Sequence, residues 1–278
     1  MKVAVFSDVQ ANLPAMEEAV ERIEAWQPEL VVMAGDLINR GPDSLGCLRL
    51  FDRFRRGQGW LPVQGNHEVW VLRCGREAPR SEGERAVRQF TDWAWQQVAP
   101  EVDALTGWAD HLCFYPPGAA DWVHVTHGSM IGNRDGITAS TPDEALSDKV
   151  PEGVALFVVG HTHKALKRHA LGMDIVNVGS VGSPFDGDVR GSWAKLVYAH
   201  GRWNVEIERF RYDRARAARE FETSGFLDQG GPLARLVFLE WQRAQLLMSG
   251  WRRRYERAVL SGEIALARSI DDYLAEIA

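Results

Sequence analysis

A chain of 278 residues, 45% hydrophobic and 25% charged, can bury a large core as one big domain or as a domain with an appendage. Its formal net charge of −6 argues against general nucleic-acid binding, which needs a basic surface, but not against a bound nucleotide. Cys47, Cys74 and Cys113 show no paired spacing and read as reduced thiols. No run reaches the length of a membrane span, and the short apolar stretch before Asp8 is no leader, so a cytoplasmic protein without a membrane partner is expected.

Taken in chain order, residues 2–7 read as a buried strand, followed by a helix over about 13–26. A strand at 30–34, a helix over about 43–56 and a strand at 60–64 continue the alternation, which indicates β-α-β units and a largely parallel sheet. Residues 70–110 change character, with a polar loop at 76–83, a helix over 84–98 and a short helix over 100–108. Strands resume at about 112–115, 122–126, 155–159 and 174–178. The pair 193–199 and 203–210, joined by His200-Gly201-Arg202, reads as an antiparallel hairpin, so the sheet system is expected to be mixed and doubled.

Beyond residue 212 only helices are expected. Val237, Trp241, Ala244, Met248, Trp251 and Tyr255 fall at spacings of 4, 3, 4, 3 and 4, an apolar stripe on one helix face. A last helix covers about 263–277. The expected division is a catalytic domain over 1–210 and a helical extension over 211–278, with the strongest local break at Gly230-Gly231-Pro232. The stripe packs on the core, joins two copies as a homodimer, or forms a lid. The segment 76–108 is a second lid candidate.

Nearly all the metal-competent side chains cluster where strand-like runs end. The segments are Asp8-Val9-Gln10-Ala11-Asn12, Gly35-Asp36-Leu37-Ile38-Asn39-Arg40-Gly41, Gly65-Asn66-His67-Glu68, His127-Gly128 and Gly160-His161-Thr162-His163. Strand ends are where ligands bind in parallel sheets. Carboxylates, an amide and imidazoles converging there make a site for two hard or borderline divalent cations. Any one of these residues alone could simply stabilise a turn. Independent turns, however, have no reason to follow one another in this order. His111, His124, His169 and His200 match no motif and read as structural or exposed.

The order DxxxN, GDxxxRG, GNHE, HG, GHTH resembles the calcineurin-like metallophosphoesterases over roughly residues 3–210. The segment from Asn177 to Pro184, followed by Asp186-Gly187-Asp188, is similar to the closing signature of their bacterial phosphodiesterase-like branch. Asn39-Arg40-Gly41-Pro42-Asp43-Ser44 is similar instead to diadenosine tetraphosphatases and phosphoprotein phosphatases. The resemblance implies a four-layer α/β/β/α sandwich and hydrolysis of a phosphodiester or phosphomonoester, nucleotides included, by a hydroxide held between two metals. It implies Asp36 as the bridging ligand, Asp8, Gln10 and His163 at the first metal, and Asn66, His127 and His161 at the second. His67 would protonate the departing alkoxide, and Arg40 would grip the phosphate.

Three departures matter. Gln10 stands where the family has histidine. It offers only a neutral carbonyl oxygen, which loosens the first site and shifts it toward manganese or magnesium and away from iron, zinc or nickel. Asn39 stands where phosphoprotein phosphatases carry an aspartate that orients the acid histidine. Phe185 replaces an arginine common in the phosphodiesterase-like branch. Gln10 also supports a rival reading, a binding or scaffold protein that keeps the fold with a weakened site.

Overall fold

The computed structural model describes residues 1–277. Its ten strands form two five-stranded sheets. The first has the order β10-β9-β1-β2-β3, from β1 (Lys2–Phe6), β2 (Leu30–Met33), β3 (Leu61–Pro62), β9 (Gly191–Ala199) and β10 (Arg202–Phe210). The second has the order β4-β5-β6-β8-β7, from β4 (His111–Phe114), β5 (Val123–Thr126), β6 (Leu156–Val159), β7 (Leu166–Ala170) and β8 (Met173–Asn177). In the first sheet β1, β2 and β3 run parallel, with the antiparallel hairpin of β9 and β10 on one side, β9 running against β1; in the second β5, β6 and β8 run parallel between antiparallel β4 and β7.

Side chains alternate along a strand, and β1 shows what that achieves. Val3 and Val5 pack between the two sheets with Val125, Val158 and Leu196, while Ala4 and Phe6 face the helices. The helical layer on the first sheet includes α1 (Leu13–Trp26), α2 (Ser44–Gln58), α3 (Asn66–Arg76) and α4 (Glu82–Val98). Asn12 caps α1 by accepting from Ala15 N–H (3.2 Å), and Asp43 caps α2 by accepting from Gly46 N–H (2.6 Å). The outer face of the second sheet buries Ile137, Leu146, Val150 and Phe157. Its cover includes a single helical turn, α5 (Asp143–Leu146).

Two elements depart from expectation. Gly65-Asn66-His67-Glu68 is the first turn of α3, not a free turn before a polar loop. Glu68 reaches back to Gly65 N–H (2.9 Å), as a glutamate at the third helical position does in a capping box. Strand β7 carries Lys167, Arg168 and His169, and its polar alternation hid an edge strand.

After β10 come α6 (Arg214–Thr223), α7 (Phe226–Gln229), α8 (Pro232–Arg243), α9 (Met248–Trp251), α10 (Arg257–Leu260) and α11 (Leu266–Glu276), with a π-helical turn (Arg252–Glu256) joining α9 to α10. The apolar stripe is therefore not on one helix. Helix α8 ends at Ala244, which is left-handed (φ 50°), and the chain restarts at Met248. Val237, Trp241, Ala244, Met248 and Trp251 are nevertheless buried. All but Ala244 share one apolar cluster with α1, α2 and α4, so the chain's own core uses the stripe that could have joined two copies. Gly230-Gly231-Pro232 likewise opens α8 with no break in that cluster. Among the described residues no helix is long and apolar enough to cross a membrane.

Candidate metal centre

Asp8, Asp36, Asn66, His127 and the pair His161 and His163 follow the ends of β1, β2, β3, β5 and β6, the parallel strands of both sheets, and meet on one rim. Two groups of ligand-type atoms lie within 4.8 Å of one another, Asp36 with His127 and His161, and Asp8 with Asp36 and His163. Asp36 is common to both.

The backbone is bent hard to achieve this. Asp8, Gln10, Asp36, Asn39, Arg40, His161 and His163 all adopt left-handed φ between 53° and 72°, a conformation that costs about 1–3 kcal/mol for a residue other than glycine. Glu68 holds one of these turns together. Its carboxylate accepts from Asp36 N–H (2.9 Å), Leu37 N–H (2.8 Å), Ile38 N–H (3.2 Å) and Gly65 N–H. Burial, then the nearby Asp36 charge, raises its pKa to about 7 against the pull of those amides. Gly35, at φ +91°, leaves room for the site, since a Cβ there would lie 2.7 Å from His127 Cγ.

The hydrogen bonds assign the imidazole tautomers. His127 Nδ1 donates to Ala34 O (2.8 Å) and His163 Nδ1 donates to Ser183 O (2.5 Å), because a carbonyl can only accept. Each Nε2 therefore turns inward with its lone pair. His127 Nε2 stands 3.2 Å from Asp36 Oδ2, and His163 Nε2 stands 3.1 Å from Asp8 Oδ1. A lone pair facing a carboxylate at that distance requires a proton or a cation beside it. With a proton, burial would depress His127, but Asp36 overrides it and raises its pKa to about 10. His161 goes the other way, lowered to about 4 by burial and then by the His127 charge, and stays neutral.

Oxygen atoms repeat the pattern. Asp8 Oδ1 and Gln10 Oε1 are buried without a hydrogen-bond donor. Gln10 nevertheless sits beside the group of Asp8, Asp36 and His163, its Nε2 donating to Asp36 Oδ2 (3.1 Å) and lying 3.5 Å from His163 Nε2. One amide atom of Asn66 is 2.8 Å from His161 Nδ1, 3.1 Å from Asn133 O and 3.2 Å from His127 Nε2. As an oxygen it would face only acceptors, which either a rotated amide or a shared cation relieves.

His67 lies beside these groups, with Nε2 3.8 Å from Asp36 Oδ2 and its own N–H donating to Asp36 Oδ1 (2.8 Å). Asn39 does orient it, with sense opposite to an aspartate. Asn39 Oδ1 accepts from Arg40 N–H (2.9 Å), so the nitrogen Nδ2 faces His67 Nδ1 at 2.9 Å and donates to it. The ring proton is thereby placed on Nε2, toward Asp36. Burial first, and the Arg40 charge among others, keep His67 well below the ordinary histidine pKa despite Asp36.

Arg40 is buried and pairs with Glu240 of α8, which is fully buried. Its Nε has no partner. Phe185 stacks on His163 with ring centres 4.2 Å apart, and the Arg40 guanidinium lies 5.8 Å from the same ring. The residue that departs from the family at 185 thus fixes the plane of an imidazole in the site. A cavity of about 460 Å³ opens on the cluster, lined by Asp36, Arg40, Asn66, His67, His161 and His163 on one side and by Leu246, Met248 and Arg252 from the tail. The segment 76–108 does not line it. Sequence reasoning left Glu68 without a role and missed Glu240 and Arg252 entirely. Glu68 at the third position of a helix was a readable signal; Glu240 and Arg252 had none, being far along the chain from every motif.

The chain belongs to the calcineurin-like phosphoesterase family, whose pattern matches residues 1–177. It is 29% identical over 155 residues to a Pseudomonas putida (strain GB-1) protein named bis(5'-nucleosyl)-tetraphosphatase, symmetrical, covering 53% of this chain and 50% of that one. Over 47 residues it is 51% identical to serine/threonine-protein phosphatase 1 of Salmonella typhimurium, 16% of this chain and 19% of that one. The chain spans about half the length, or less, of these curated relatives. A metallophosphoesterase from Sphaerobacter thermophilus has the same fold, with a TM-score of 0.68 at 23% identity over 88% of this chain and 99% of that one.

Proposed function

We propose that this protein is a metal-dependent phosphoesterase acting on a small phosphodiester or phosphomonoester, with a nucleoside phosphate the first candidate because of the tetraphosphatase relatives. The observation that carries the reading is the inward-facing lone pairs of His127 and His163 against buried carboxylates, beside the undonated oxygens of Asp8 and Gln10. A proton on His163 Nε2 would serve Asp8 Oδ1 but would leave Gln10 Oε1 without a partner. Divalent cations fit the whole donor set. Asp8, Gln10, Asp36 and His163 would hold one, and Asp36, Asn66, His127 and His161 the other. Mixed oxygen and imidazole donors, with an amide in place of a histidine at residue 10, favour manganese. Bound there, the cations would supply a nucleophilic water at neutral pH and offset charge on the phosphoryl oxygens.

The chain's own groups do the rest. His67 would donate a hydrogen bond from Nε2 to the leaving oxygen, held in that tautomer by Asn39. Arg40 has a free Nε for a phosphoryl oxygen while Glu240 fixes its far end. The tail residues Leu246 and Met248 line one side of the cavity with apolar surface. The cytoplasm suits such a protein, and nothing in this reading requires a second copy.

Turnover of bis-p-nitrophenyl phosphate by the purified protein with Mn²⁺ is expected, and His67→Ala should lower it by about 10²-fold, more for a poorer leaving group. A protein inert with Mn²⁺, Fe²⁺, Zn²⁺, Ni²⁺ and Mg²⁺ alike would defeat the hydrolase reading. Gln10→His adds an imidazole beside Asp8, Asp36 and His163, and metal affinity there should rise on the order of tenfold or more, given how strongly even indirect ligand contacts act. Metal analysis after exhaustive dialysis checks this. Wild-type protein already retaining two ions per chain would contradict a loosened first site.

A further inference from the structure

We infer that Arg134 and Arg252 form a subsite for a second phosphate group, so that the cavity selects oligophosphate chains over single phosphoesters. The inference rests on the phosphoester reading above and names its substrate class.

The cavity wall is cationic in a chain whose net charge is −6. Arg40, Arg134, Lys164 and Arg252 line it, and Asp36 is the only carboxylate among its lining residues. Glu240 occupies one end of Arg40, but the buried Nε of that guanidinium has no acceptor. Among the described residues, Arg134 and Lys164 have no carboxylate within ion-pair distance of their side chains. Arg252 has one, Glu256, at 3.5 Å from Nε, a half-buried pair at long range that a phosphate can displace.

Arg252 also senses the other two arginines. The pKa of Arg252 is lowered, first by burial and then, against the pull of Glu256, by the charges of Arg40 and Arg134. Arg40 is held by Glu240 and Arg252 only weakly by Glu256, so Arg134 and Arg252 are the arginines left to take up an anion. Guanidinium forks suit phosphate oxygens in particular.

Position adds direction. Arg134 and Arg252, with Trp70, also line a second cavity of about 390 Å³, so they stand where the two cavities meet. A phosphate beside Asp36 and His67 would leave its neighbour along a chain in the same cavity, whose wall these arginines line. A p-nitrophenyl ester has no group to place there. Arg252 lies beyond the family pattern, which ends at residue 177, so the helical tail supplies one of the two arginines of this subsite.

Isothermal titration in metal-free buffer with inorganic tripolyphosphate and with orthophosphate tests the subsite. Wild-type protein should bind tripolyphosphate at least tenfold more tightly. Arg134→Ala and Arg252→Ala should each weaken tripolyphosphate by about tenfold, the loss of one charge-assisted contact of ~1.5 kcal/mol, with orthophosphate nearly unchanged. Arg252→Lys should restore part of the loss. Equal weakening of both anions, or none, overturns the inference, and thermal unfolding shows that each variant is folded. Wild-type turnover with Mn²⁺ separates the two readings. Without turnover but with the arginine-dependent preference, the hydrolase falls and the subsite stands; with turnover and no preference, the reverse holds.

Discussion

Asp36→Asn should lower kcat/KM for bis-p-nitrophenyl phosphate on the order of 10³-fold and release metal from the protein. Asp36 is the one residue common to both ligand groups, and its Oδ2 lies 3.2 Å from His127 Nε2 and 3.1 Å from Gln10 Nε2. Asparagine keeps the shape and can still accept from His67 N–H through Oδ1, so the fold should survive while the shared charge is lost. Burial alone would raise this carboxyl's pKa, yet His127 and His67 hold it below the ordinary range. Steady-state kinetics and metal analysis on the same sample decide the matter. Activity within tenfold of wild type at full metal content would mean that the two groups do not act as one site.

Glu240→Ala should destabilise the protein by about 3–5 kcal/mol, because it leaves the Arg40 charge buried without its partner. The same carboxylate accepts from Leu247 N–H (2.6 Å) and Met248 N–H (2.5 Å), so the segment after α8 would lose its anchor as well. That segment borders the cavity, and KM should rise together with the loss of stability. A drop of roughly 10 °C in the unfolding midpoint is expected for a chain of this size. Glu240→Gln keeps an oxygen for the two amides and should cost less. A midpoint unmoved in Glu240→Ala would show that the Arg40–Glu240 pair has no bearing on the fold.

The effect of Glu240 explains why the tail reads so differently in sequence and in space. A 4-3-4-3-4 stripe from Val237 to Tyr255 is the pattern of a single amphipathic helix. The structure breaks it at Ala244, and the carboxylate of Glu240 takes up the amides exposed by the break. The stripe still correctly identified Val237, Trp241, Met248 and Trp251 as buried, because burial follows hydrophobicity even where the helix does not continue. Strand β7 was hidden for the opposite reason, since an edge strand with charged residues has no hydrophobic signal.

By itself the sequence determined the alternation of strands and helices, the two mixed sheets and the seven ligand-type residues that gather at the rim, because each is written in local periodicity or in a short motif at a strand end. Tertiary structure alone decided which atoms of those residues face one another, that Asn39 donates to His67 rather than accepting from it, and that Glu240 and Arg252 reach the site from the tail. Those outcomes depend on hydrogen-bond partners and charges brought together across as many as 200 residues of chain, and no local pattern encodes such a pairing.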